Sequence, residues 1–125
     1  EGRFTGQALV VDDEPTVLEF AHLALQILGF QTTLARDGRE AVERFAQSPE
    51  RFDLVLLDLT MPRMDGREAL LELRKLRPRI PVLLTSGYSD QESLRGLSPE
   101  GCLRFLQKPY QLKELKRAIQ ELLER

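Results

Sequence analysis

Cysteine is almost absent. Cys102 stands alone among 125 residues, so no intramolecular disulfide can staple the chain, and a reducing compartment fits that usage. Long apolar runs are missing as well. No stretch approaches the roughly 20 residues that a membrane span requires, and no signal peptide opens the sequence. Neither sign of charge dominates: 18 basic against 20 acidic residues give a formal net charge of -2, with no block of lysine or arginine. That balance offers no electrostatic case for nucleic acid. Repeats, low-complexity tracts and linkers are lacking too. What remains is ordinary for a globular protein, 42% hydrophobic and 30% charged. A chain of this length can bury about two-thirds of its unfolded surface. The expectation is one cytoplasmic domain over residues 1–125, with its core from about residue 8 to 123.

Against that plain background, functional side chains recur at the ends of apolar runs. Asp12 and Asp13 follow Ala8-Leu9-Val10-Val11, and Asp58 follows Leu54-Val55-Leu56-Leu57. The hydroxyls of Thr85 and Ser86 follow Val82-Leu83-Leu84, and Lys108 follows Leu103 to Gln107. Short apolar runs alternating with helical patterns read as buried parallel strands. Between them the predicted helices run from about Glu14 to Leu28, closed by Gly29, and from Gly38 to Gln47, ended by Ser48-Pro49. A further helix is capped by Asp65 and extends through Arg77, before Pro78 and Pro81 enforce an extended approach. Gln31 to Ala35 reads as a strand. A short polar helix is expected over Ser89 to Leu97. The last helix, from Gln111 to about Leu123, places Leu112, Leu115, Ile119 and Leu122 at helical period.

Right-handed crossovers with helices on both faces make a doubly wound five-stranded parallel sheet, order 2-1-3-4-5, the expected architecture: a flavodoxin-like (βα)5 three-layer sandwich. Ligands in such sheets bind beyond the carboxyl ends of the strands, at the switch point between strands one and three. Asp12, Asp13 and Asp58 would meet there. Each like-charge pair at 4 Å costs about 4 kcal/mol at an effective dielectric near 20. A raised pKa or a bound cation must relieve it, and Mg²⁺ with oxygen ligands does so economically. A metal, a lysine and a hydroxyl around one carboxylate suit a phosphoryl group carried on that carboxylate, with Asp58 as the central candidate.

Five motifs in order now carry a resemblance: Asp12-Asp13, Asp58 with Met61-Pro62, Asp65-Gly66, Thr85-Ser86-Gly87, and Phe105 through Pro109. The chain resembles the receiver domain of response regulators in two-component signalling, from about Ala8 to Leu123. The resemblance implies a phosphorelay domain in which Asp58 accepts a phosphoryl group from a sensor kinase's phosphohistidine, or from a phosphotransfer domain, and the surface then switches conformation. By the same resemblance it is expected to be no enzyme beyond promoting its own aspartyl phosphorylation and dephosphorylation. The resemblance further implies that Asp13, Asp58 and the backbone carbonyl of Thr60 ligate Mg²⁺, with Asp12 acting through water. Lys108 would contact the phosphoryl oxygens across a cis Lys108-Pro109 bond. Ser86 is preferred to Thr85 as the mobile hydroxyl, and Phe105 holds the place of the family's rotating aromatic. Thr60 and Tyr88 would control water access, with Tyr88 prolonging the phosphorylated state. Gly6-Gln7, Pro15 and Ser86-Gly87-Tyr88 resemble receivers appended to hybrid histidine kinases. Many relatives dimerise through their fourth helix, fifth strand and fifth helix when phosphorylated. The last predicted helix reaches the chain's end, so no output domain is expected within these residues.

Other classes compete with that reading. An aspartate-nucleophile phosphohydrolase wants a second acid two residues after the nucleophile, where Thr60 stands. An FMN carrier wants hydroxyls and amides after the first strand, where Asp12-Asp13-Glu14 would repel phosphate. A degenerate receiver acting only as a binding module should lack chemical positions that are all filled here. His22 is expected to be solvated beside Glu19 and Gln26. Cys102 reads as inert packing. In the first helix, Val17, Ala21, Ala24, Leu25 and Leu28 form one core stripe, and Phe20, Leu23 and Ile27 a second. That second stripe is either a widened buried face shared with the last helix or an exposed docking patch for a kinase's helices.

Overall fold

The computed structural model describes residues 4–59, 65–88 and 102–124. The strands are β1 (Gln7–Val11), β2 (Gln31–Ala35), β3 (Leu54–Asp58), β4 (Val82–Ser86) and β5 (Leu103–Gln107). They form one parallel sheet in the order β2-β1-β3-β4-β5. The helices are α1 (Pro15–Leu28), α2 (Gly38–Gln47), α3 (Gly66–Leu76) and α4 (Leu112–Leu123), with a short 3-10 turn at Pro49–Arg51. The helix expected over Ser89 to Leu97 lies outside the described residues.

Two apolar layers hold the sheet. Strand alternation sends Leu9, Val55, Leu57 and Leu84 toward α2 and α3, where Phe45 and Leu73 are fully buried. The alternate residues, Val10, Leu56 and Leu83 among them, face α1 and α4 and meet Leu25, Leu115 and Ile119. All of β3 is buried, as the centre of a doubly covered sheet must be.

Local chemistry sets the helix ends. Pro15 opens α1, and Gly29 closes it in the left-handed region at φ 117°, where a side chain would be strained. Asp37 caps α2 by accepting from the Glu40 amide at 2.8 Å. Asp65 and Glu68 form a reciprocal capping box on α3. Gly66 allows that helix to start against β3: a Cβ there would fall 2.4 Å from the Asp58 carbonyl oxygen.

Three expectations are corrected. Asp58, Thr85 and Ser86 are the last residues of their strands rather than lying just past them, because the ladder pairs Asp58 with Thr85 and Ser86 with Gln107. Phe20, Leu23 and Ile27 are exposed, at 43%, 48% and 62%, so the buried face of α1 is not widened. Leu18 fills that face instead, and Val17 is half-buried. His22 is half-buried rather than solvated, its Nδ1 2.6 Å from Thr32 Oγ1 on β2.

Candidate phosphoacceptor site

The crossover between β1 and β3 fixes the acids. Asp12 and Asp13 leave the end of β1, and Asp58 ends the neighbouring strand. One carboxylate oxygen from each of the three lies within 4.8 Å of the others. Asp12 and Asp58 are buried, whereas Asp13 is exposed at the rim. Such a set of hard oxygen donors fits Mg²⁺, which takes carboxylates and keeps part of its water shell.

Lys108 enters from two strands away. Its backbone N–H donates to the Ser86 carbonyl at 2.7 Å, fixing where the side chain departs. A cis bond follows at Lys108-Pro109, as the resemblance implied. The ammonium lies 3.1 Å from Asp12 Oδ2 and 3.4 Å from both Asp58 Oδ1 and Glu14 Oε1. Burial works against its charge. The carboxylates of Asp58, Asp12 and Glu14 outweigh that cost, so the pKa rises above the lysine value and the group stays cationic. Asp12 behaves oppositely. Burial raises its pKa despite hydrogen bonds from the Glu14 amide at 3.0 Å and from Lys108.

Thr85 and Ser86 are both buried. Strand alternation puts Thr85 on the face of the sheet that carries Asp58, and Ser86 on the other. Ser86 Oγ accepts from the Tyr88 amide at 3.0 Å. Phe105 is half-buried against the core on the α2–α3 side. Thr60 lies outside the described residues. Two cleft residues were missed from sequence: Glu14, which reaches Lys108, and Tyr110, whose ring is buried beside the acids. Burial, then Asp12 and Asp58, push the Tyr110 phenol's pKa upward, so it stays neutral. Glu14 directly follows the acid pair and Tyr110 follows Lys108-Pro109, and adjacency was the only signal for either. A cleft of about 830 Å³ joins Asp13, Asp58 and Lys108 to an apolar wall of Phe20, Tyr88 and Tyr110.

This geometry agrees with what the chain is similar to. A family model described as the response regulator receiver domain matches residues 8–120. The response regulator MprA of Mycolicibacterium vanbaalenii is 41% identical over 118 residues, covering 94% of this chain and 50% of that protein. The sensor kinase CckA of Brucella abortus is 38% identical over 117 residues, 94% of this chain but 12% of its own length. The chain thus spans half or less of these curated relatives. Among solved structures, the receiver domain of sensor histidine kinase PA1611 from Pseudomonas aeruginosa superposes with a TM-score of 0.84 at 29% identity, covering 98% of this chain and all of that one. That structure holds a magnesium ion in its active-site cleft. The chain therefore belongs to the response regulator receiver domain family of two-component signalling.

Proposed function

We propose that Asp58 is the phosphoacceptor, taking a phosphoryl group from the phosphohistidine of a sensor kinase or phosphotransfer domain. One observation carries the reading: a buried carboxylate at the end of the central strand, 3.4 Å from a lysine ammonium and clustered with two further acids. An Asp58 oxygen attacks phosphorus as the P–N bond breaks in a donor protonated on its other ring nitrogen, so the imidazole leaves as the neutral ring. Asp13, Asp58 and the Thr60 carbonyl would hold Mg²⁺, with Asp12 acting through water, and the ion would neutralise charge on the phosphoryl oxygens. Lys108 releases part of its hold on the carboxylates to pair with a phosphoryl oxygen. We assign the mobile hydroxyl to Ser86, which must leave the Tyr88 amide and turn toward the acceptor. Thr85, already on the acceptor's face, is the alternative. Phe105, packed on the same side of the sheet as Ser86, would follow that movement.

The chain in this reading is a signalling module rather than a turnover enzyme, working in the cytoplasm. Among the described residues, no helix is long and apolar enough to cross a membrane. Residues 1–125 act as one receiver unit, and the longer relatives suggest that it works attached to other domains. Phosphorylation-dependent self-association would use the edge strand β5 with α4. The test is intact-protein mass after incubation with acetyl phosphate and Mg²⁺. Wild type should gain one phosphoryl group and Asp58→Asn none. Undiminished gain in Asp58→Asn would overturn the assignment.

A further inference from the structure

Three carboxylates surround Lys108, and they are not equivalent. Asp12 and Asp58 side chains are 5% and 2% exposed, whereas Glu14 is 61% exposed. The ammonium donates hydrogen bonds to Asp12 Oδ2 at 3.1 Å and Glu14 Oε1 at 3.4 Å, and Asp58 Oδ1 stands 3.4 Å away as an ion-pair partner. A phosphoryl oxygen arriving on Asp58 therefore competes with these carboxylates for the ammonium. Removing a buried carboxylate's partner is costly, while an exposed carboxylate is simply resolvated.

The start of α1 supplies an independent observation. Glu14 holds the N-cap position, yet its side chain makes no cap hydrogen bond. In contrast, the N-cap residues Asp37 and Asp65 of α2 and α3 both accept from a backbone amide three residues on. The Glu14 carboxylate bypasses the helix and reaches Lys108, a residue 94 positions away.

From these two facts we infer that Glu14 is a positioning residue, a displaceable latch that holds Lys108 in the unphosphorylated site and yields it to the arriving phosphoryl group. It also places a negative charge at the cleft mouth, where an anionic donor enters. The rate part of the inference rests on Asp58 being the acceptor, but the latch itself does not.

Two variants separate contact from field. Glu14→Gln removes the charge. Glu14→Asp keeps it but shortens the reach, and an aspartate at an N-cap turns onto the helix amides. The first readout needs no phosphorylation: ¹⁵N relaxation of the Lys108 ammonium should show greater mobility in both variants than in wild type. The second is the rate of acetyl phosphate labelling with Mg²⁺. Both variants should label faster by roughly two- to fivefold, the scale of one exposed ion pair, and the Glu14→Gln advantage should shrink with added salt. Unchanged Lys108 mobility in both variants would overturn the latch. So would acceleration in Glu14→Gln alone, since that is an effect of field without contact. If wild type takes no label at all, the acceptor assignment fails, and the relaxation data still decide the latch.

Discussion

Tyr88 holds the position from which, by resemblance, one side chain would set the duration of a signal. Its ring stands at the cleft that Asp58 also lines, while its amide donates to Ser86 Oγ. Tyr88→Ala should shorten the phosphoryl lifetime by up to about tenfold, a barrier change of ~1.4 kcal/mol. Following loss of label after donor removal would check it, and a wild-type half-life of seconds would contradict the screening role. Residues at strand ends were legible in sequence because a parallel sheet fixes where such ends point, whatever their side chains do. Glu14 was not, since its contact with Lys108 depends on a rotamer and an unmade cap rather than on pattern. His22 escaped for a similar reason: its partner Thr32 lies across the α1–β2 packing, which helical periodicity does not report.

At the scale of elements, the β2–α2 junction is held by more than propensity. Glu40 accepts from the Arg36 amide at 2.8 Å and pairs with Arg44 at 3.0 Å. The Arg36 hydrogen bond, and then Arg44, hold its carboxyl below the ordinary 4.5. A depressed carboxyl stabilises the fold above its unfolded pKa and loses that contribution as pH falls through the folded one. Glu40→Gln should therefore lower stability by about 0.5 kcal/mol at neutral pH, with the difference vanishing in strong acid. Urea midpoints for both proteins at the two pH values would show it; a gap that widened in acid would refute it. Most element bounds followed from Pro, Gly and Asp at predictable positions. Strands β3 and β4 run one and two residues past their apolar runs, because ladder pairing, not hydrophobicity, ends them.

Across the whole molecule, the sheet order followed from alternating strands and helices, since handedness leaves few ways to cover both faces. The fate of Phe20, Leu23 and Ile27 did not, because two apolar stripes on one helix look alike until the neighbouring helix is placed. Phe20 packs on Tyr110 with ring centroids 5.7 Å apart, which continues the cleft wall onto the exposed face of α1. Alanine at Phe20 and Leu23 should slow transfer from a cognate kinase by roughly tenfold, as loss of docking anchors does, and leave acetyl phosphate labelling alone. Equal slowing with both donors would count against a docking surface.

The most direct test of phosphoryl acceptance is chemical mapping of the labelled residue. Protein treated with acetyl phosphate and Mg²⁺, then reduced with borohydride, should carry homoserine at position 58 and nowhere else, with no conversion when EDTA replaces the metal. Homoserine at another aspartate, or undiminished conversion in EDTA, would contradict a metal-assisted acceptor at Asp58.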